Sequence, residues 1–330
     1  INSSIKKLKP LSTYQYAYLL NEALQNDGKT PIYSYDDFEK FRSASSQYTH
    51  PDVNWYDQIL GDNAISQSYN INVSGGNNFA QYFVSAGMYG DNGLFRDNND
   101  KYKTKLTLNR YSIDSKVNIN VTQDFTAKIA LLARIEEGNQ PGGSGTGYSD
   151  ILLNIYRTPN NAYPIKNPNG TWGGNVSFNN NLYSQAFNSG YIIDDTRDIL
   201  GSIDLKYDFD RVAKGLSVRA LGTIAVQNKS VTNRTMRSPV YLYSEVDGKP
   251  GYSMFGSVSS QTNTYTAVST YQQMYGQLSV DYERQFDLHH LKASLSGDTR
   301  QELINYDLPR IPSNVMQTMG YDYDKKYFVQ

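Results

Sequence analysis

Apolar and polar residues alternate with a period of two along much of the chain, starting at about residue 67. Tyr69, Ile71 and Val73 stand between serine and asparagine residues, and comparable alternation recurs in seven later segments. A period of two sends successive side chains to opposite faces of an extended strand. The pattern therefore predicts eight β-strands in four hairpins, each with an apolar face and a polar face.

Each predicted hairpin has a short turn with a phenylalanine beside it. The turns cover residues 75–78, 122–124, 210–215 and 287–290, and the phenylalanines are Phe79, Phe125, Phe209 and Phe286. The other connections are long and cover residues 91–108, 138–195 and 227–268. Loops longer than about 15 residues are uncommon in compact soluble domains, whereas membrane β-barrels have short turns at one rim and long loops at the other.

The same pattern favours a membrane-spanning sheet over a membrane-spanning helix. No stretch of the sequence offers the roughly 20 consecutive apolar residues of a transmembrane helix. Lipid offers no hydrogen-bond partners, so a closed sheet is the other structure that can cross it. We therefore predict an all-β transmembrane fold with its strands in residues 65–304, and an aromatic girdle formed by the four phenylalanines at the short-turn rim.

Residues 1–64 and 305–330 differ from the predicted sheet. Ser12 followed by Gln15 predicts a capped helix that Gly28 can end, and a second short helix is predicted to begin at Ser34. We expect residues 1–64 to be a helix-containing region outside the sheet. Residues 305–330 are expected to start a further loop or strand. Because neither end carries a recognisable terminal element, we expect the chain to be a piece of a longer polypeptide.

Composition adjusts this interpretation without overturning it. The mean hydropathy is −0.60, a value typical of a soluble protein, but a barrel turns every second residue toward a polar interior. The chain has 29 tyrosines, whose amphipathic rings suit a boundary between water and lipid. It has no cysteine, which excludes disulfides and thiolate chemistry. Its net charge of −1 without basic clusters argues against a nucleic-acid partner.

Few residues suggest catalysis or metal binding. The neighbours Glu136 and Glu137, like Asp194 and Asp195, lie at predicted strand ends, where solvated charge is expected rather than an acid–base pair. We therefore predict that the chain is not an enzyme and holds no cofactor. The acidic loops leave calcium as a minor alternative. The residues that could supply oxygen ligands are Asp97, Asn99, Asp100, Asp322 and Asp324.

Aromatic residues in the long connection 138–195 are stronger candidates for ligand contact. Aromatic faces can stack on sugars or pack against peptide side chains. The alternative is that these rings hold the loop together or contact a partner protein. The candidates for substrate binding are Tyr148, Tyr163, Trp172, Phe178 and Tyr183.

Several motifs, in order, resemble the SusC/RagA family of TonB-dependent outer-membrane transporters. The most recognisable is Ser-Tyr-Asn-Ile-Asn-Val-Ser-Gly-Gly at residues 68–76, followed by Tyr-Phe-Val-Ser at 82–85 and Gly-Leu-Phe at 93–95. The other matching segments are residues 20–23, 53–57, 139–142, 162–165, 167–170 and His290. The resemblance covers nearly the whole chain through the order and spacing of these motifs.

The resemblance implies a fold, an orientation and a set of partners. The chain would form roughly strands two to nine of a large antiparallel outer-membrane barrel of about 22 strands. Short turns would face the periplasm, and residues 1–64 and the long loops would lie outside the cell. A SusD-like surface lipoprotein would cover the mouth, and TonB would act through a plug encoded outside this segment. The cargo would be glycan oligomers or peptides.

A different class of protein also fits part of the pattern. A soluble or surface-exposed β-rich module, such as a carbohydrate binder or adhesin, would have the same alternating strands. It would bury the apolar face of each strand in its own core. The two hypotheses therefore differ in whether that face is exposed on the folded chain.

Overall fold

The computed structural model describes residues 9–97, 102–143, 147–256, 259–286, 289–310 and 326–329. For residues 259–265, 286, 306–310 and 326–329 it describes the backbone alone. The helices are α1 Thr13–Asn26, α2 Tyr35–Ser43, α3 Trp55–Ile59, α4 Tyr148–Arg157 and α5 Leu182–Phe187. The strands are β1 Ile65–Gly76, β2 Ala80–Asn92, β3 Thr107–Asn120, β4 Phe125–Pro141, β5 Trp172–Gly173, β6 Gly190–Asp208, β7 Leu216–Arg237, β8 Val240–Val246, β9 Lys249–Phe255, β10 Ser259–Phe286, β11 His289–Arg310 and β12 Lys326–Val329.

The predicted antiparallel sheet is confirmed. Nine strands pair in the order β1-β2-β3-β4-β6-β7-β10-β11-β12, and every pair is antiparallel. Within the part of the chain that the structure describes, β1 and β12 are the edges, so the sheet is open. None of the described helices is long and apolar enough to cross a membrane.

The strands extend further into the long connections than the alternating pattern indicates. β7 continues to Arg237 and β10 begins at Ser259, so much of the connection expected at 227–268 belongs to the sheet. The remainder forms the hairpin β8–β9, which pairs with the two-residue strand β5 in a second sheet. Asp247 and Gly248 both have positive φ at the tip of this hairpin, as a tight two-residue turn requires.

The predicted helix signals in residues 1–64 are confirmed. Ser12 and Gln15 form a capping box at α1, with the Ser12 Oγ accepting from the Gln15 N–H at 3.3 Å. Ser34 caps α2 in the same way through Asp37. Gly28 follows α1 with φ 70°, a left-handed conformation that glycine adopts without steric cost. In the segment 53–57, Asn54 is the N-cap of the short helix α3, which lies ahead of β1.

The pairing register gives the nine-stranded sheet two distinct faces. Directly opposite residues on antiparallel strands share a face, and rows of paired residues can be followed from strand to strand. One such row contains Ile71, Ala86, Ile113, Ala133 and Ile199. We call this side the apolar face and the opposite side, with the row of Asn70, Gly87, Ser112, Arg134 and Asp198, the polar face.

The apolar face is left exposed by the fold. Ile71 is 66% exposed and Leu278 is 57% exposed, although neither lies in a loop. Along β4 the apolar residues of this face run from Phe125 to Ile135, which is about 33 Å at roughly 3.3 Å per residue. Inclined by about 40°, such a band is about 25 Å tall, the height of the lipid-facing band of an outer-membrane barrel.

The sheet curves toward its polar face, and its strands are staggered. Lys128, Asp204, Arg219, Asp281 and Lys292, from five adjacent strands, line one cavity of 660 Å³ on the polar face. The pairing row that passes through Gln81, at the first short turn, reaches β10 at Gln277. β10 continues from there for nine more residues, to Phe286. Stagger of this kind inclines the strands of a barrel.

Candidate functional site

The long connections fold together at one end of the sheet instead of standing as separate loops. We call this folded region the cap; it comprises residues 9–64, 93–97, 102–106, 147–189 and 238–256. Its core joins Trp55, Phe95, Ile151, Tyr163 and Leu182, which come from three segments: the region ahead of β1, the β2–β3 connection and the β4–β6 connection. Trp55 Nε1 donates to the Pro159 carbonyl at 3.3 Å. The cap is therefore a small packed unit, and its buried rings stabilise it.

Tyr163 lies in this core and must be removed from the candidate ligand contacts. Its side chain is 3% exposed, and its ring centroid lies 4.8 Å from that of Trp55 and 5.8 Å from that of Phe178. Its hydroxyl accepts from the Leu182 N–H at 3.2 Å. Burial raises the pKa of this hydroxyl, so it stays protonated at neutral pH. The prediction that Tyr163 contacts substrate is wrong because the residue is enclosed by the cap.

Trp172 and Tyr183 lie together at the edge of the cap, both half-buried. Their ring centroids are 6.2 Å apart, and Tyr183 also packs edge-on against Phe187 at 4.7 Å. The Lys166 ammonium lies over the Trp172 ring at 4.9 Å from the centroid. Phe178 is half-buried against the core. These three aromatic residues contribute mainly to packing and offer partial faces to a ligand.

Tyr148 is the most open of the five candidates. It begins α4, is 39% exposed, and lines a cavity of 280 Å³ on the polar face of the sheet, at the end where the cap lies. Its backbone N–H donates to Gln140 Oε1 at 3.3 Å, which ties the helix start to β4. Asp91 and Asp194 line the same cavity from β2 and β6. We call this cavity the mouth cavity.

The two neighbouring acidic pairs are separated by strand geometry. Asp194 and Asp195 are consecutive in β6, so Asp194 faces the mouth cavity and Asp195 faces the opposite side. Lys229 Nζ lies 2.9 Å from Asp194. Glu136 is on the polar face, where its carboxylate accepts a hydrogen bond from Arg110 Nε at 2.7 Å. Glu137, the next residue in β4, is on the opposite face. Asp91 and Asp194 were missed as site residues because only the register places them together.

The polar face carries a series of charge pairs between strands. Arg134 pairs with Asp198 directly opposite, and Asp198 also accepts from Gln227 at 2.9 Å. Nearer the short turns, Arg219 donates to both carboxylate oxygens of Asp204, with distances of 2.7 and 2.6 Å. These pairs make the polar face a charged surface.

The four phenylalanines lie at or near the short turns. Phe125 packs against Tyr207 across the β4–β6 pair at 6.3 Å, and Tyr207 contacts Phe209 at 4.6 Å. Phe79 is 58% exposed beside the first turn. The backbone of Phe286 ends β10, while its side chain lies outside the described residues.

The structure offers little to a metal ion. Among the described residues, no three histidine or acidic side chains are grouped so that they could hold one. The Asp97 Oδ2 atom lies 3.9 Å from Lys105 Nζ. The other residues that the sequence indicated for calcium, Asn99, Asp100, Asp322 and Asp324, lie outside the described residues.

No protein-family model matches the sequence, and no curated protein matches it either. Among solved structures, the fold resembles a chain of the RagAB peptide importer in the closed-closed state, with a TM-score of 0.58 and 14% identity. It also resembles a chain of the same importer in the open-open state, with a TM-score of 0.60 and 11% identity. A further RagAB peptide transporter structure gives a TM-score of 0.57 and 13% identity.

These matches cover nearly all of the present chain but a minor part of the neighbours. Each alignment covers 99% of this chain and 37% of the RagAB chain. At such low identity the likeness shows a common fold. The nine-stranded sheet and its cap therefore have the fold of part of a transporter chain.

Proposed function

We propose that this chain is a segment of a TonB-dependent outer-membrane transporter that imports large nutrients, with a SusD-like surface lipoprotein as its partner. The observation that carries the proposal is the exposed apolar band on one face of a staggered antiparallel sheet, opposite a charged and concave face. That arrangement suits a barrel wall between lipid and a wet interior. The fold shared with the RagAB chains supports the same assignment.

The two ends of the sheet support one orientation. Short turns with adjacent phenylalanines would face the periplasm, and the cap would lie outside the cell, as in other outer-membrane barrels. The cap would then form part of the surface on which the lipoprotein sits. TonB would act through a plug that lies beyond this segment.

Peptides are the favoured cargo, and glycan oligomers are the alternative. The solved neighbours are described as peptide importers and a peptide transporter. The mouth cavity combines the Tyr148 ring with the carboxylates of Asp91 and Asp194, which suits the mixed apolar and amine groups of a peptide. Transport of this kind requires binding and release, with no covalent step by these residues.

The soluble-binder hypothesis is less well supported. A soluble β-rich module would cover the apolar face of its strands, because large exposed apolar patches promote association. Here Ile71, Ile113, Ile203, Leu278 and Leu295 are all more than two-fifths exposed on one face. An exposed apolar surface of this kind is expected to be covered by lipid or by further protein.

Labelling of single cysteines in whole cells tests the proposed orientation. Tyr35 in the cap is 80% exposed and Val212 in a short turn is 79% exposed, so the two sites are matched in accessibility. This chain has no cysteine of its own that would react. In the full transporter, Tyr35→Cys should react with a membrane-impermeant maleimide on intact cells, and Val212→Cys should react after the outer membrane is permeabilised. The reverse order would overturn the orientation.

A further inference from the structure

The small second sheet in the cap has an edge strand, β9, with no strand beside it among the described residues. The sheet has the order β5-β8-β9, so β8 has a neighbour on each side and β9 has one on its inner side. All seven residues of β9 pair with β8. The outer edge of such a strand presents backbone N–H and C=O groups that a further strand can pair with.

The turn of the hairpin determines which backbone groups of β9 point outward. Asp247 and Gly248 form a two-residue turn, which makes Val246 and Lys249 a hydrogen-bonded pair. Hydrogen-bonded and non-hydrogen-bonded pairs alternate along an antiparallel ladder, and residues of the second kind turn their N–H and C=O groups away from each other. The non-hydrogen-bonded pairs of this hairpin are therefore Glu245–Pro250, Tyr243–Tyr252 and Tyr241–Met254.

The contacts of Tyr241 agree with this assignment. Its carbonyl accepts hydrogen bonds from the Gly174 N–H at 3.1 Å and from Asn167 Nδ2 at 2.9 Å. Gly174 directly follows β5, on the side of β8 away from β9. The partner of Tyr241, Met254, therefore directs its N–H and C=O to the outer side of β9, and Tyr252 does the same. Within the described ranges, neither residue makes a backbone hydrogen bond beyond the hairpin.

Tyr252 and Met254 carry their side chains on the same face of the hairpin. The Tyr252 and Tyr243 ring centroids are 5.6 Å apart, and Tyr48 packs edge-on against Tyr243 at 5.9 Å. Met254 is 50% exposed. The intervening Ser253 directs its side chain to the other face. An added strand would therefore place every second side chain on an apolar, aromatic surface.

The free edge is short. Pro250 points outward but has no N–H, which leaves Tyr252 and Met254 as the outward donors of β9. A Cβ on Gly256 would lie 2.6 Å from the Asn179 carbonyl oxygen, so the strand is closely covered just beyond its end. β9 spans about 23 Å at roughly 3.3 Å per residue. A stable protein interface buries roughly 800 Å² per partner, so an edge of this length suits a short extended segment better than a folded partner.

We propose that the free edge of β9 binds an extended segment of peptide cargo, which adds to the hairpin as an antiparallel strand, the more stable arrangement. The peptide residue opposite Tyr252 exchanges two backbone hydrogen bonds with it, and the residue two positions away exchanges two with Met254. Apolar side chains are favoured at those two peptide positions. The backbone supplies the hydrogen bonds, so many sequences are accepted. The proposal rests on the peptide cargo of the proposed function and adds a site to the mouth cavity.

Two peptides with identical side chains test this pairing on the full-length protein in detergent. Both have leucine and serine at alternate positions, a lysine at each end and a fluorescent label. One is N-methylated at the leucine amides and the other at the serine amides. Leucines that pair with Tyr252 and Met254 donate their N–H groups to β9, whereas the serine N–H groups point away.

Fluorescence anisotropy compares the affinities of the two peptides. The serine-methylated peptide should bind, and the leucine-methylated peptide should bind about tenfold more weakly, because two backbone hydrogen bonds are lost. Equal affinities, or tighter binding of the leucine-methylated peptide, would overturn the proposal.

A pair of variants tests the same edge from the side of the protein. Met254→Pro removes an outward N–H and leaves the ladder to β8 intact, since proline is tolerated where the N–H of an edge strand faces solvent. Met254→Ala keeps the N–H and is the matched control. Met254→Pro should bind the unmethylated peptide about fivefold more weakly than Met254→Ala, the effect of one hydrogen bond. Protease resistance of the cap verifies that both are folded, and equal affinities in folded variants would contradict the site.

Further outcomes separate this site from the proposed function. Protein that carries peptide into cells but binds the two methylated peptides equally would overturn the edge site and leave the transporter intact. Protein that neither binds nor takes up any of the peptides would contradict peptide cargo as well. Met254→Pro protein that binds peptide normally but no longer co-purifies with its lipoprotein would assign the edge to that partner and overturn the proposal.

Discussion

Trp55 and Tyr163 pack ring against ring with centroids 4.8 Å apart, although they belong to segments on opposite sides of four strands in the sequence. Trp55 lies in α3, ahead of the first strand, and Tyr163 lies between β4 and β6. Their contact is at the centre of the core that unites the connections into one cap. The surface that a cargo or partner would meet is thus supported by a packed interior.

Removal of the Trp55 side chain should loosen the cap while leaving the sheet folded. Trp55→Ala empties a fully buried position, and substitutions of this type cost about 3–5 kcal/mol. We expect the cap to become sensitive to protease added outside cells, with heat-dependent gel mobility of the barrel retained. Tyr35→Ala, at an 80% exposed position of the cap, is the matched control and should leave protease resistance unchanged. Equal resistance in both variants would show that Trp55 does not organise the cap.

Tyr148 and Tyr163 should respond differently to substitution. Tyr148→Ala removes an exposed ring from the mouth cavity, so we expect slower uptake of a fluorescent peptide with unchanged protease resistance. Tyr163→Ala removes a core ring, so we expect the cap to be destabilised by about 3–5 kcal/mol. Tyr163→Phe keeps the ring and should restore most of that loss. Reduced protease resistance in Tyr148→Ala would contradict the separation of the two roles.

A charge should be tolerated on one face of β6 and not on the other. Ile203 lies on the exposed apolar face and the adjacent Ser202 lies on the polar face. Ile203→Arg should destabilise the folded protein by about 2–4 kcal/mol, the cost of arginine at the middle of a bilayer. Ser202→Arg should change it little. Urea titration of the full protein in lipid vesicles measures both, and equal effects would argue against lipid on the apolar face.

Acid should weaken the attachment of α2 through Asp37. Burial by itself raises the pKa of this carboxyl, but hydrogen bonds from His50 and Ser34 outweigh that effect and lower the pKa to about 2. Because the folded pKa is below the unfolded value of 3.8, the stabilisation is complete above about pH 4 and is lost as the pH falls toward 2.

The corresponding measurement is protease sensitivity of the α2 region between pH 5 and pH 2, with a protease active in acid. The carboxylate should contribute about 1 kcal/mol after allowance for solvent screening. Asp37→Asn should remove most of this pH dependence. Asp36→Asn, one residue earlier and with a side chain 73% exposed, should preserve it. A pH dependence that persists in Asp37→Asn would assign it to other groups.

The sheet was predictable because its signal is local. Alternation along β4, from Phe125 to Ile135, indicates both the strand and its apolar face without reference to any other segment. The helix starts at Ser12 and Ser34 were also predictable, since a capping box lies within four residues. That Asp91 and Asp194 line one cavity depends instead on the register across β2, β3, β4 and β6.

The cap was not predictable from local pattern. Tyr148 and Tyr163 lie in the same connection of the sheet, yet the first is exposed and the second is enclosed by Trp55 and Phe178. Burial here results from contacts between segments that are about a hundred residues apart, as with Trp55 and Pro159. The β8–β9 hairpin was missed for a related reason, because it lies inside a connection dominated by the ends of β7 and β10.

The most direct test of the central claim, that the apolar face contacts lipid, is a scan of oxygen accessibility along β4. Spin labels on single cysteines at residues 127–135 of the full-length protein in lipid vesicles report collision with dissolved oxygen, which concentrates in the bilayer. Leu131 and Leu132 are adjacent and similarly exposed, at 43% and 38%, but lie on opposite faces. A lipid-facing sheet predicts high accessibility at Leu131, low accessibility at Leu132 and a period of two with maxima at odd residues. Equal values at both positions, or maxima at even residues, would contradict it.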